Sequence, residues 1–344
     1  MTSDPHEGLL ALDSHVDIPW PPGPSPFEDG PRCVDLPKLR QGRVAAVCFA
    51  AYIPQGMRDA AAHLTAASRA RAMLKAIADM APEDGAGGLL TTSAAAIEAA
   101  FKVGRPGIIP AIENGYAIGR DLTLLDEFAR SGVRYMTLTH NGHNEIADAA
   151  IPLPSLGDKD HEYGGLSDFG QEVVDRMNDL GLLVDISHAS KSSMMQAAKR
   201  SRVPVVATHS CMQALCDHKR NLDDEQLELL AATGGLAQIT IVSNFLRPKA
   251  RAGDVSVEDI VDHIDYAIGR MGIDHVGIGT DFDGGGGVRD YMNAAQTPAL
   301  TAALARRGYA RPEIAKIWGG NFLRLMRQAE AAARHQPQAA DHTI

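Results

Sequence analysis

Residues 182–188 read LLVDISH and residues 203–209 read VPVVATH. Each segment is a short, almost continuous run of aliphatic residues that ends in a histidine. Such runs are typical of strands in a parallel sheet, because both faces of these strands are buried. A helical pattern, Ser190–Lys199, lies between them. The two segments therefore predict one β-α-β unit.

The same alternation extends in both directions along the chain. We predict six more strands, at Leu9–Asp17, Val44–Tyr52, Gly107–Asn114, Tyr135–His140, Leu236–Val242 and Val276–Asp281. Further helical patterns cover Arg58–Met80, Asp121–Arg130, Ser167–Leu180, Asp223–Ala232 and Val257–Met271. Eight strand–helix units indicate an α/β fold whose parallel sheet closes into a (β/α)8 TIM barrel, and an open doubly wound sheet is the alternative. We expect one barrel domain over residues 1–330 and a flexible C-terminal tail over residues 331–344.

The composition excludes some classes of partner. The 344 residues carry a formal net charge of −10, which disfavours nucleic acid and anionic membrane surfaces. The amino terminus lacks a signal pattern, and no apolar run reaches the ~18 residues of a membrane span. Cys33, Cys48, Cys211 and Cys216 lack the density of a disulfide framework, so we expect reduced thiols and a cytoplasmic location.

Ionisable side chains lie at the carboxyl ends of six predicted strands, where a barrel builds its active site. They are His15 and Asp17 on the first strand, Glu113 on the third, His140 on the fourth, His188 on the fifth, His209 on the sixth and Asp281 on the eighth. Alternate residues of a strand point the same way, so His15 and Asp17 share a face. Core strands exclude ionisable groups unless these are paired or bound to metal. The pattern therefore predicts a metal site at the barrel mouth.

The ligand chemistry narrows the choice of metal. Imidazole and carboxylate without thiolate suit zinc, with manganese, cobalt and iron(II) as alternatives. The five side chains His15, Asp17, Glu113, His188 and His209 exceed the three protein ligands of a single catalytic zinc. They fit two ions that share a carboxylate, and a single ion surrounded by supporting groups is the alternative. His143 is a further candidate for a supporting hydrogen bond.

Seven motifs in order along the chain carry a resemblance to a known family. They are DSHVDIP at 13–19, IENG at 112–115, TLTHN at 137–141, VDISHAS at 184–190, ATHS at 207–210, KRNLDDEQL at 219–227 and VGIGTDFDG at 276–284. With these motifs the chain resembles the membrane (renal) dipeptidase family of zinc metallopeptidases, a branch of the amidohydrolase-like barrels. The resemblance implies that His15 and Asp17 bind one zinc, that His188 and His209 bind the other, and that Glu113 bridges them.

The resemblance also implies roles for three other side chains. His140 would contact the substrate and stabilise the developing oxyanion, and Asp281 would handle the proton. Arg220 would bind the terminal carboxylate of the substrate, which the planar guanidinium matches. The implied activity is hydrolysis of dipeptides, including those with a C-terminal D-residue, by a hydroxide that bridges two zinc ions. The alternative is another binuclear amidohydrolase-type enzyme, acting on N-acyl amino acids or lactones.

Two departures limit what the resemblance implies. Animal members of the family carry a signal peptide and a lipid-anchor tail; this chain shows neither, so we expect no membrane attachment. After the seventh predicted strand, where family members can offer a tyrosine to the substrate, residues 243–246 read SNFL. The preference for substrate side chains therefore stays open. The resemblance also implies a homodimer, with no interface located in the sequence.

Overall fold

All eight predicted barrel strands form in the computed structural model, which describes residues 4–334. Their bounds are Leu12–Asp17 (β1), Ala46–Tyr52 (β2), Gly107–Glu113 (β3), Tyr135–Thr137 (β4), Leu183–Asp185 (β5), Val206–Ser210 (β6), Leu236–Ile239 (β7) and Val276–Ile278 (β8). Each strand pairs in parallel with the next one along the chain. A short strand, Leu89–Leu90, which the sequence patterns did not predict, also pairs with β3.

The sheet returns from its last strand to its first. Just beyond β8, the backbone N–H of Asp281 donates to His15 O (3.0 Å), and the N–H of Asp17 donates to Phe282 O (3.0 Å). A doubly wound sheet would reverse its strand order and leave two open edges. The prediction of a (β/α)8 TIM barrel is therefore confirmed, and the open-sheet alternative is wrong.

Twelve α-helices lie among residues 4–334. They are Leu36–Gly42 (α1), Ala60–Ala78 (α2), Ala94–Lys102 (α3), Thr123–Arg130 (α4), Asp168–Asp179 (α5), Lys191–Arg200 (α6), Asp224–Ala232 (α7), Ser243–Leu246 (α8), Val257–Met271 (α9), Thr297–Arg307 (α10), Arg311–Ala315 (α11) and Asn321–Ala332 (α12). The six predicted helices form within a few residues of their expected bounds. Among these helices, none is both long enough and apolar enough to span a bilayer.

Three of the strands that were predicted to end in a site residue end before it. They were expected to reach His140, His188 and Asp281, but β4, β5 and β8 end three residues earlier, at Thr137, Asp185 and Ile278. His188 and Asp281 have φ angles of 63° and 61°, a left-handed conformation that cannot continue a strand. The expectation that these side chains belong to the strand ends is therefore wrong, because they lie in the loops that follow.

The core between the sheet and the helices is largely apolar. Every residue of β3 is buried, and helices such as α2 and α4 cover the outside of the sheet with Met73, Ile77, Leu125 and Phe128. The four cysteines are free thiols. The single domain over residues 1–330, the cytoplasmic location and the homodimer stay predictions. Most of the predicted tail, residues 335–344, lies outside the described residues.

Candidate metal centre

Four histidines converge on one carboxylate at the mouth of the barrel. The Nε2 atoms of His188, His209, His15 and His140 lie 3.1, 3.4, 3.7 and 3.8 Å from Glu113 Oε1. Glu113 is the last residue of β3, and its side chain is almost fully buried. These five residues come from five different strands or the loops that follow them. The structure thus brings them together at one end of the barrel, as the sequence pattern predicted.

The first strand adds a second carboxylate. Asp17 Oδ1 lies 3.6 Å from His15 Nε2, in agreement with the predicted common face of these two residues. Gly284, in the loop after β8, lies close to the carboxylates of both Asp17 and Asp281. A Cβ atom at Gly284 would lie 2.3 Å from Asp281 Oδ1 and 2.8 Å from Asp17 Oδ2. Only glycine therefore allows the backbone to approach both carboxylates so closely.

In three of the four histidines, the ring nitrogen that faces away from Glu113, Nδ1, lies within hydrogen-bond distance of a protein side chain. The partners are Tyr135 Oη for His15 (2.8 Å), Thr208 Oγ1 for His209 (3.0 Å) and Asn141 Oδ1 for His188 (3.3 Å). A protein group at the second ring nitrogen is the usual arrangement for a histidine that binds metal. Within residues 4–334 the ring of His140 has no such hydrogen bond and packs against the rings of Tyr52 and His188. His140 therefore differs from the three predicted histidine ligands in its surroundings, and its role stays a prediction.

Unpaired polar atoms test whether these residues fit a metal. Within residues 4–334, His15 Nε2, His209 Nε2 and Asp17 Oδ1 are buried and have no hydrogen-bond partner. Such atoms are costly to bury, because the water they lose is not replaced. Burial, together with the charge of Asp17, raises the pKa of Glu113 well above its usual range. A nitrogen and oxygen donor set with unpaired atoms and crowded carboxylates fits divalent cations such as zinc.

The donor atoms form two compact sets that share Glu113. One set contains His15 and His209, and the other contains His140 and His188, with donor atoms within 4.8 Å of one another in each set. A carboxylate common to both sets is what a bridging ligand requires. The sets differ from the predicted division, which pairs His15 with Asp17 and His188 with His209. The distribution of these side chains between two ions therefore stays a prediction.

A cavity of about 290 Å³ opens in front of this cluster. Its lining residues are Asp17, Tyr52, Glu113, His140, Asn141, His188, Arg220, Val242, Phe245, Asp281 and Gly284. His15 and His209 do not line it. The volume is at the lower end of the range for small-molecule pockets. The cavity therefore suits a small ligand.

Arg220 provides the positive charge of the cavity. Its side chain is only 4% exposed, although sequence alone would place an arginine at the surface. One terminal nitrogen donates to His209 O (3.1 Å), the guanidinium lies 5.6 Å from the centre of the Phe245 ring, and Nε has no hydrogen-bond partner among residues 4–334. Burial lowers the pKa of Arg220 to about 10, so the group stays cationic at neutral pH. A buried guanidinium with unused donors suits a carboxylate ligand.

His140 and Asp281 have altered proton affinities. Burial, followed by the charge of Arg220, lowers the pKa of His140 to about 3, so its ring is neutral at neutral pH. Burial raises the pKa of Asp281 from its usual value towards neutrality, against the opposing influence of His15. A carboxyl group with a raised pKa can both accept and release a proton during catalysis.

The expected supporting role of His143 is wrong. Its Nδ1 accepts from Ala149 N (3.0 Å), and its Nε2 lies 2.8 Å from Lys159 O. Both ring nitrogens therefore hold the loop after β4 together. Sequence reasoning missed the groups that do contact the ligands, namely Tyr135, Asn141 and Thr208. A polar residue directly before a ligand could have pointed to Thr208, and one in the loop after the neighbouring strand could have pointed to Asn141, whereas no sequence signal pointed to Tyr135.

A closed parallel barrel with histidines and carboxylates at its mouth is the architecture of a metal-dependent hydrolase. The model of one family, described as membrane dipeptidase (peptidase family M19), matches residues 6–340. The chain therefore belongs to the membrane dipeptidase family. It is a metallopeptidase of the dipeptidase type, as the sequence motifs predicted.

Individual relatives agree with this membership. Dipeptidase aclJ of Aspergillus oryzae is 31% identical over 316 residues, which cover 88% of this chain and 71% of that protein. The crystal structure of the probable dipeptidase PvdM from Pseudomonas aeruginosa has a TM-score of 0.91 at 29% identity, covering 96% of this chain and 97% of the other. A metallopeptidase from Rhodobacter sphaeroides, liganded with a phosphinate mimic of L-Ala-D-Ala, has a TM-score of 0.79 at 27% identity, covering 93% and 99%.

Proposed function

We propose that this protein hydrolyses the peptide bond of dipeptides with the help of two divalent metal ions at the barrel mouth. The observation that carries the proposal is the position of Arg220. This buried cation lines the same small cavity as Glu113 and His140. A substrate held there by a terminal carboxylate has little space to extend further, which favours a dipeptide over a longer peptide.

In this proposal the ions are zinc. His15 and Asp17 hold one ion, His188 and His209 hold the other, and Glu113 bridges them. The unpaired Nε2 atoms of His15 and His209 and the Nδ1 partners of all three histidines support this set. When bound, such ions polarise a carbonyl group and make a water molecule more acidic.

The other side chains bind the substrate and move its protons. Arg220 binds the free carboxylate of the second residue and so fixes the position of the peptide bond. His140, whose ring is neutral and has no hydrogen bond among residues 4–334, donates to the carbonyl oxygen as negative charge develops there. Asp281 accepts a proton from the attacking water and delivers it to the departing amine, for which its raised pKa is suited.

The substrates in this proposal include dipeptides with a C-terminal D-residue. The support comes from the Rhodobacter sphaeroides structure, whose ligand mimics L-Ala-D-Ala. The position that a tyrosine can occupy in other family members lies here in α8, and Phe245 of that helix lines the cavity. A phenyl ring offers packing without a hydroxyl group, so we expect this wall to select substrate side chains by shape.

The proposal is tested by comparing free dipeptides with dipeptides whose C-terminal carboxylate is amidated. Arg220→Ala removes a charged hydrogen bond of about 1.5–3 kcal/mol, so kcat/KM for free dipeptides should fall about 10–100-fold, mainly through KM. Wild type and variant should cleave the amidated substrate at similar rates. Arg247→Ala, which removes an exposed arginine paired with Asp259, is the matched control and should behave as wild type.

Three outcomes would contradict the proposal. Unchanged dipeptide kinetics in the Arg220→Ala variant would show that Arg220 does not bind the carboxylate of the substrate. Absence of hydrolysis across a dipeptide library, with zinc bound, would exclude the activity. Faster turnover of N-acyl amino acids or lactones than of any dipeptide would favour the alternative binuclear hydrolase.

A further inference from the structure

Two buried hydroxyl groups lie directly behind two of the proposed metal ligands. Tyr135 Oη is 2.8 Å from His15 Nδ1, and Thr208 Oγ1 is 3.0 Å from His209 Nδ1. Tyr135 begins β4 and Thr208 lies in β6, and both side chains are fully buried. Neither residue lines the cavity, so neither can contact a substrate. Their contacts point instead to an effect on the two histidines.

The proton of Tyr135 is already committed to another group. Its hydroxyl donates to the backbone oxygen of Ser14, at 3.0 Å, and a carbonyl oxygen can only accept. The phenol oxygen therefore presents a lone pair to His15, and the hydrogen between them must come from Nδ1. The Nε2 atom of His15, which faces Asp17 and Glu113, is left with a lone pair.

The proton of Thr208 is committed in the same way. Thr208 Oγ1 donates to Asp185 Oδ2 at 2.7 Å. The same carboxylate accepts from Thr137 Oγ1 (2.5 Å) and from the backbone N–H groups of Ser187 and Thr208 (3.0 Å each). Four donors leave Asp185 as an acceptor only, so Thr208 can offer His209 nothing but a lone pair. The Nδ1 atom of His209 must therefore carry the hydrogen.

We infer that Tyr135 and the Asp185–Thr208 pair are positioning residues that set the tautomers of His15 and His209 and thereby the metal affinity of the site. This inference rests on the proposed metal centre. A neutral imidazole has one hydrogen, and only the nitrogen without it can bind an ion. Tyr135 acts on the ion held by His15, and Thr208 acts mainly on the ion held by His209, because its Oγ1 lies 3.0 Å from His209 Nδ1 and 3.4 Å from His15 Nδ1. The two hydroxyls reach the centre from different strands, so each can be removed separately.

The test measures metal retention by the zinc-loaded, full-length protein in increasing concentrations of a chelator such as dipicolinate. Tyr135→Phe and Thr208→Val should each release one of two ions at a chelator concentration about 10–100-fold lower than wild type, the usual effect of removing a partner behind a ligand. Thr208→Ser keeps the hydroxyl and should retain both ions as wild type does.

A matched control separates this effect from the loss of any buried tyrosine hydroxyl. Tyr291 is fully buried and bonds Thr297 Oγ1 at 3.2 Å, away from the ligands. Tyr291→Phe should therefore retain both ions. If Tyr135→Phe and Thr208→Val release zinc at the wild-type chelator concentration, the positioning roles are wrong and the proposed function stands. If wild type itself retains no zinc, the metal centre is wrong and the proposed function fails with it.

A spectroscopic measurement on the wild-type protein covers the case in which a variant does not fold. In ¹H–¹⁵N spectra of the zinc-loaded protein, the rings of His15 and His209 should each show a slowly exchanging hydrogen on Nδ1. A hydrogen on Nε2 of either ring would overturn the inference.

Discussion

Two groups of buried histidines differ in how their ring nitrogens are used. His6 and His263 belong to the scaffold, and protein groups contact both nitrogens of each ring. The partners are Thr301 Oγ1 and Gly42 O for His6, and Met212 N and Leu246 O for His263. In the mouth group, His15 and His209 have a partner at Nδ1 alone, and their Nε2 atoms are buried without one among residues 4–334.

Burial alone does not distinguish the two groups. His6 and His263 are each 1% exposed, while His15 and His209 are 0% and 1% exposed. The difference lies in the unpaired nitrogen, which a folded protein rarely leaves without a partner. In the proposed metal centre a bound cation would supply that partner, whereas the scaffold histidines already have partners at both nitrogens. Changes in the mouth should therefore affect metal and activity, and changes in the scaffold should affect stability.

The largest effect is expected at Glu113, the carboxylate that four imidazoles approach. Glu113→Gln keeps the shape but removes the charge that both proposed ions share. The loss of several kcal/mol of charge stabilisation should lower kcat at least about a thousandfold. Glu145→Gln is the matched scaffold control, because Glu145 is also buried but faces His63. Near-normal dipeptide turnover by the Glu113 variant would show that the mouth group is not the catalytic centre and does not differ in function from the scaffold.

The next largest effect is a loss of kcat that is expected at Asp281 but not at Asp283, although both aspartates lie in the same loop. Asp281 lines the cavity, whereas Asp283 accepts from the backbone N–H groups of Cys33 (2.7 Å) and Val34 (3.1 Å). Both have positive φ angles, which asparagine tolerates. Asp281→Asn should lower kcat about 10²–10⁴-fold by removing the proton carrier, with a small change in KM. Asp283→Asn should keep kcat. Equal turnover by the two variants would remove the proposed role of Asp281.

Metal removal should change the free energy of unfolding, and this change should be smaller than the losses of activity expected at Glu113 and Asp281. An ion that binds only the folded protein contributes about 2.7 kcal/mol at one hundred times its Kd. Chelation should therefore lower the free energy of unfolding and the Tm of wild type, and added zinc should restore both. In His188→Ala/His209→Ala this zinc-dependent difference should shrink or vanish. A wild-type Tm that is independent of zinc would contradict the account.

The smallest effect is expected in the scaffold. His263→Leu leaves Met212 N and Leu246 O without their ring partners, which should cost about 1–3 kcal/mol of stability. Denaturant unfolding measures that loss. Metal content and kcat should stay at their wild-type values, because His263 neither lines the cavity nor contacts a proposed metal ligand. Loss of zinc from this variant would show that the two groups of histidines are not independent.

The sequence predicted the site best where a regular strand carries the side chain. Glu113 ends β3, whose register with β2 is unbroken, and His15 and Asp17 lie on β1 two residues apart, although the pairing of β1 shifts between Asp13 and Val16. His188 and Asp281 follow their strands in left-handed conformations, which no periodicity encodes. Their presence at the mouth was predictable, but their backbone geometry was not.

Long-range contacts account for the rest of what sequence reasoning missed. Arg220 is buried because the loop after β6 folds back over His209, and a charged residue in a polar loop gives no sign of this. Tyr135 appeared only as a strand residue, since its hydroxyl contact is with His15, 120 positions away. Family motifs identified Arg220, and only the three-dimensional structure identified Tyr135.

Metal content is the most direct measurement of the central claim that the mouth histidines hold two ions. Full-length protein, loaded with zinc and freed of excess metal, should contain two zinc ions per chain by mass spectrometry. His263→Leu should also contain two, and His188→Ala/His209→Ala should contain one or none. A wild-type protein without bound metal, or a double variant that retains both ions, would contradict the account.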